Sequence, residues 1–176
     1  MAEDEPMTRT QAVGQFEALV RQHQSMVFSI AYHLLHDRAL AEEVAQDVFL
    51  SLHRQLASLQ SPEHVMFWLR RVTTHRAIDC ARRRAAAPEF ALDDSPEPAT
   101  VDRDCDPLLT RRLQQLVASL PEKARAVVVL RYQEGMSMGE IGDALDMPVP
   151  TVKSHLHRAL AMLREKVSRT IGDMHV

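Results

Sequence analysis

The stretch from Met136 to Glu165, MSMGEIGDALDMPVPTVKSHLHRALAMLRE, leaves the chain few ways to fold. Ser137 followed by Glu140 is a capping-box pair, in which each side chain satisfies a backbone amide at the start of a helix. Ile141 and Leu145 then recur at helical spacing. Asp146, Pro148 and Pro150 break that helix, because proline lacks an amide and disfavours helix in the residue before it. Val152, Leu156, Leu160 and Leu163 begin a second helical pattern at once. Two short helices about a tight break predict a helix-turn-helix, whose second helix can enter a DNA major groove. At roughly 100° per residue, Val152, Leu156, Ala159, Leu160 and Leu163 share one face of it. Ser154, His157 and Arg158 project from the opposite face, with Lys153 and His155 at its edges. From Lys153 to Arg169 there are five basic residues against Glu165 alone. That is the charge sign a helix facing phosphates should carry. Taken alone, the same pattern also fits an ordinary helical hairpin with a solvated basic face.

The net charge of −3 sits badly with DNA binding until it is mapped along the 176 residues. Between Trp68 and Arg84 lie six arginines and one acid, Asp79, together with Thr73, Thr74 and His75, short polar groups able to contact bases or phosphates. A solvated helix face would show the same run. From Ala85 to Asp106 the balance reverses: seven carboxylates stand against Arg103 alone, and Pro88, Pro96 and Pro98 interrupt the segment. One sign of charge, prolines and few apolar groups predict a segment that does not fold alone. The chain therefore reads as two basic surfaces joined by an acidic tether.

The remainder is helical in pattern. Phe16 to Leu35 carries apolar residues at gaps of three and four. Asp37 can cap a second helix, with Leu40, Val44, Val48, Phe49, Leu52, Leu56 and Leu59 recurring. Ser61-Pro62-Glu63 is a third start, and Val65, Trp68, Val72 and Ile78 mark one face of a helix to about Arg84. Asp106-Pro107 opens another helix, and Pro121 a further one, with Val127, Val128 and Tyr132 inward and Gly135 at its end. Five glycines and few aromatic residues argue against an all-β fold. The expectation is an all-α chain: two small helical domains joined by a flexible acidic linker, the C-terminal one a helix-turn-helix. Its parts are a loose N-terminal end (1–13), a first domain (14–84), the linker (85–106) and a second domain (107–170).

Three blocks carry a resemblance: ALAEEVAQDVFLSLHRQL (39–56), FWLRRVTTHRAIDCARRR (67–84) and SLPEKARAVVVLRYQEGMSMGEIGDALDMPVPTVKSHLHRAL (119–160). In this order, and with the acidic linker between the second and third, they resemble the extracytoplasmic-function (ECF) group of bacterial sigma factors over about Phe16 to Val167. The resemblance implies a protein that directs core RNA polymerase to promoters and opens the duplex. It places Glu42, Glu43, Gln46 and Asp47 at a surface for the coiled coil of the polymerase β′ subunit. It makes the β flap, promoter DNA and an anti-sigma factor further partners. It puts His75, Arg76, Asp79, Arg82, Arg83 and Arg84 on the helix that reads the minus-ten element, and Lys153, Ser154, His155, His157 and Arg158 on the helix that reads the minus-thirty-five element. The loop Leu59–His64 would capture an unstacked base, and the linker would run through the polymerase near the RNA path. The family commonly has asparagine where this chain has His75, so its minus-ten preference is not carried over from relatives.

An autonomous helix-turn-helix regulator is the rival reading, but nothing resembles a ligand domain or dimerisation heptads. A metal or catalytic role for the nine histidines is the other. His155 and His157 point apart on a helix, and His33 and His36, which could share a face, lack the further ligands a metal site needs. No phosphate loop, nucleophile elbow or HExxH pattern is present. The expectation is thus no catalytic residue, no metal and no cofactor. No run of eighteen apolar residues and no secretory leader appear, and Cys80 and Cys105 have no redox or metal spacing. The protein reads as cytoplasmic, with no membrane insertion.

Overall fold

A local stop-and-start signal separates each helix from the next. The computed structural model describes residues 9–59, 61–86 and 107–172. Helix α1 (Arg9–Leu35) begins before Phe16, inside the N-terminal end expected to be loose. It ends where His36 takes a left-handed conformation at φ 52° and donates its amide to the Tyr32 carbonyl at 2.7 Å. Asp37 then caps α2 (Arg38–Gln55), its carboxylate accepting the Leu40 amide at 3.0 Å. A 3-10 turn (Leu56–Ser58) leads to α3 (Pro62–Ala86), whose first turn is held by the Ser61 hydroxyl accepting the His64 amide at 3.1 Å. The acidic linker (85–106) lies outside the described residues apart from its first two positions, which end α3. Helices α4 (Pro107–Ala118), α5 (Glu122–Tyr132), α6 (Met138–Leu145) and α7 (Val149–Gly172) complete the chain, and the described residues contain no strand.

Helices α1, α2 and α3 pack as a three-helix unit around Val27, Ala31, Val44, Val48, Leu52, Val65 and Leu69. Helices α5 and α7 share a small core of Leu120, Ala124, Val128 and Ala159. A third apolar cluster joins the two halves. Ile30 and Leu34 of α1 and Ala77 of α3 meet Ala126, Leu130, Met136, Ile141, Ala144 and Val152, with Phe67 and Ile78 against them.

This docking explains why α3 departs from its expected single apolar face. Its fully buried line is Leu69, Thr73, Thr74 and Ala77, while Trp68, Val72 and Ile78 are only half-buried. The helix is covered on two sides, by its own unit and by the second half, so small residues sit where two neighbours close in. Thr73 and Thr74 donate their hydroxyls to the Leu69 and Arg70 carbonyls, at 2.6 and 2.8 Å, and are unavailable to bases or phosphates. Tyr132, expected inward, is 63% exposed. It stands in the last turn of α5 and lines an open groove with Leu113 and Leu163.

Candidate nucleic-acid interface

The helix-turn-helix is built as its local chemistry dictates. Ser137 Oγ accepts the Glu140 amide at 3.2 Å, and Glu140 Oε2 accepts the Ser137 amide at 2.7 Å. Those bonds hold the Glu140 carboxyl below its usual pKa. Helix α6 stops at Asp146, which is left-handed at φ 51°, and the Met147 amide closes the turn on the Gly142 carbonyl at 2.9 Å. The turn passes so close to α6 that a Cβ on Gly142 would lie 2.8 Å from the Met147 carbonyl oxygen. Pro150 does not break a helix here; it occupies the first turn of α7, where its missing amide is not required. The Pro148 carbonyl accepts the Thr151 and Val152 amides.

This frame fixes the rotation of α7. Val152 and Ala159 are fully buried. Lys153, Ser154, His157 and Arg158 are exposed, and His155 is half-buried. The outward face therefore presents two cations, a hydroxyl and an imidazole on one helix, a composition suited to phosphates and base edges.

The other basic helix is arranged differently. Arg76 donates to Asp47 at 3.0 Å and to Ser51 at 2.7 Å, and Arg84 donates to Asp37 at 2.7 Å. Arg82 lies 3.9 Å from Asp79 and donates to Glu122 of α5 at 3.1 Å. Arg83 is exposed beside Glu43, Asp47 and Cys80 in the cleft between α2 and α3. His75 Nε2 donates to the Ala144 carbonyl of α6 at 2.8 Å and lies 3.6 Å from the Asp146 carboxylate. Cys80 in that cleft is half-buried, and burial pushes its thiol pKa up, which leaves it a poor nucleophile. Leu59 packs on the first core and Pro62–His64 form the first turn of α3; Gln60 lies outside the described residues, as does Cys105.

The four α2 residues divide between two faces. Glu42 and Gln46, one turn apart, line a groove of about 720 Å³ against α1, with Phe28, Phe49 and Leu50. Glu43 and Asp47 face the α2–α3 cleft instead. Leu50, 57% exposed at the groove, is a candidate contact that the sequence reading missed. Its signal was its position off the Val44, Val48, Leu52 stripe.

A capped helix-turn-helix, a second basic helix on a separate three-helix unit and an acidic tether between them define a bipartite DNA-reading protein. Two family models match it: sigma-70 region 2 over residues 19–87, and sigma-70 region 4 over residues 110–163. The RNA polymerase sigma-E factor of Streptomyces coelicolor is 33% identical over 157 residues, covering 88% of this chain and 87% of that one. ECF RNA polymerase sigma factor SigW of Bacillus subtilis is 29% identical, covering 86% and 88%. ECF RNA polymerase sigma factor SigE of Mycolicibacterium smegmatis is 34% identical, covering 90% of this chain and 63% of that longer relative. In fold, the chain is similar to the sigma factor RpoE of Bartonella quintana solved with the anti-sigma factor NepR (TM-score 0.71, 17% identity, 88% and 97% covered). It is also similar to CnrH solved with the cytosolic domain of CnrY (TM-score 0.65, 24% identity, 91% and 94% covered). The chain belongs to the ECF group of RNA polymerase sigma factors.

Proposed function

We propose that this sigma factor brings core RNA polymerase to promoters by reading a minus-thirty-five element with Lys153, Ser154, His155, His157 and Arg158 of α7, and a minus-ten element with His75, Arg76, Asp79 and Arg82–Arg84 of α3. The observation that carries the reading is the outward basic face of α7, which follows the capped helix α6 within a region 4 match. The polymerase supplies the chemistry, and this chain supplies recognition and strand opening. The groove of Glu42, Gln46, Phe49 and Leu50 is the docking surface for the β′ coiled coil, with an apolar floor and polar rim. A second groove of about 520 Å³, lined by Leu113, Val117, Tyr132 and Leu163, is open to a partner helix such as that of the β flap or of an anti-sigma factor. The protein would act in the cytoplasm with the polymerase; no described helix is long and apolar enough to cross a membrane.

Run-off transcription with purified core enzyme on a pool of promoter fragments tests the assignment. Arg158→Ala should reduce discrimination at the upstream element by about 1–3 kcal/mol, the worth of a bidentate base contact. Lys153→Ala should weaken binding with little change in sequence preference, as a phosphate contact would. Intact selectivity of the Arg158→Ala holoenzyme would reduce Arg158 to a solvated charge.

A further inference from the structure

The outward face of α7 carries a group whose charge is not fixed. His157 is exposed at the middle of that face. Lys153 stands one turn before it and Arg164 two turns after, both exposed and along the same side of the helix. Ser154 and Arg158 flank this row, whereas His155 is half-buried at the edge. Among the described residues, no carboxylate pairs with Lys153, His157, Arg158 or Arg164. Glu165, the acid of α7, is held by Arg169 at 2.6 Å. The acids on the elements packed against α7 are committed elsewhere. Glu122 of α5 accepts from Arg82 at 3.1 Å, and Glu134, just past α5, accepts from Arg70 at 2.9 Å. Glu140 of α6 closes the capping box, and Asp146 in the turn accepts from Arg71 at 2.8 Å. Asp143 is exposed on α6, where its carbonyl accepts from Arg71. The other charged groups on these elements are cations: Arg111 and Arg112 of α4, and Lys123, Arg125 and Arg131 of α5. His157 therefore sits in a row of unpaired cations.

We propose that His157 is a proton-dependent phosphate contact: it takes a proton from solvent as α7 meets the upstream duplex, so this sigma factor holds its minus-thirty-five element more tightly as the pH falls. The inference rests on the assignment of α7 to that element and adds a regulation of the same site. A row of cations on one helix face follows the phosphates along a groove edge. Within such a row a charged imidazole donates an N–H to a phosphate oxygen with the strength of a charge-assisted bond, and a neutral one donates without charge. Histidine in water changes charge at about pH 6.5, and an adjoining phosphate favours the charged form, which carries the titration upward. The contact is therefore fully present below the value in water and is lost as the pH rises through the higher value in the complex. Lysine and arginine keep their charge throughout this range, so the variable part of the outward charge falls on His157. Each neutralised phosphate adds about 0.9 to the salt slope of duplex binding. Protonation of His157 should thus appear as one additional phosphate contact.

The test compares full-length wild type, His157→Gln and His157→Lys, each assembled with core polymerase, on a promoter duplex that the wild-type holoenzyme selects from a random pool. Glutamine hydrogen-bonds without titrating, lysine stays charged, and the site is exposed, so both variants keep the fold. Wild-type affinity should fall about fivefold between about pH 6 and about pH 8, with a salt slope shallower by about 0.9 at the higher pH. His157→Gln should lose most of that pH dependence and bind like wild type at the higher pH. His157→Lys should keep the low-pH affinity and the steeper salt slope at both. Titrating groups of the polymerase are common to all three proteins, so the differences belong to residue 157. Equal pH dependence and equal change of salt slope in wild type and His157→Gln would overturn the proposal. Absence of any promoter preference in the wild-type holoenzyme would overturn the functional reading instead. The same pH and salt series with the free full-length chains on random-sequence duplex, which offers phosphates alone, would then still judge His157.

Discussion

His36 shows how much one side chain absorbs at the junction of the halves. It closes α1 in a left-handed turn, its Nε2 is buried without a hydrogen-bond partner among the described residues, and its neighbour is the Arg125 guanidinium. Burial first, then Arg125, then His33 lower its pKa from 6.5 to about 4. The folded chain therefore holds this imidazole neutral where the unfolded chain would protonate it. Stability is full above pH 6.5 and falls as the pH drops through the window between 6.5 and about 4. His36 should cost roughly 1 kcal/mol of stability between pH 7 and pH 5.5. His23, also lowered by burial and by Arg70, adds in the same direction. Urea unfolding at the two pH values checks this. His36→Asn, which accepts the same backbone, should lose the larger part of the pH dependence, and an unchanged dependence would assign it elsewhere. Nothing in the sequence announced this role. The neighbour that depresses His36 is Arg125, far away in the chain, and no spacing rule connects them. Thr73 and Thr74 misled for the same reason: their types suit nucleic acid, but a second helical layer buries them.

At the scale of elements, what is local was legible. The Ser137–Glu140 capping box, the Asp37 cap and the Ser61-Pro62 start all lie where the sequence puts them, because each needs only residues within one turn. The exposed and buried faces of α7 were legible too, since a helix with one packed side obeys a single stripe. Helix α3 was not, because it has two packed sides and its charges lie between them. Ser137→Ala should cost about 1 kcal/mol of stability by chemical denaturation. Gly142→Ala should cost about 1–3 kcal/mol, since a Cβ 2.8 Å from the Met147 carbonyl forces the turn outward. The second substitution should also impair upstream-element recognition, whereas a neutral effect would show that the turn can shift without moving α7. Within α3, replacing Arg82, Arg83 and Arg84 by alanine should flatten the salt dependence of holoenzyme–promoter binding by up to about 0.9 per lost phosphate contact. An unchanged slope would mean that the run faces solvent or polymerase.

For the molecule as a whole, the sequence revealed two helical units and an acidic tether but not their relation. Flexible tethering implied that the spacing of the two basic surfaces is unset, whereas Ile30, Leu34 and Ala77 share one core with Leu130, Met136 and Ile141. Those residues read equally well as the separate cores of two domains, and only the fold shows them facing each other. Both arrangements predict a free protein that reads promoters poorly; the closed one adds that α3 is covered. The central claim, promoter recognition that exists only in the company of core polymerase, is tested most directly by footprinting promoter DNA with permanganate probing of unpaired thymines, with and without core enzyme. The expected result is protection upstream and reactive thymines downstream only when core is present. A sharp, sequence-specific footprint from the free protein, unchanged by core, would contradict it.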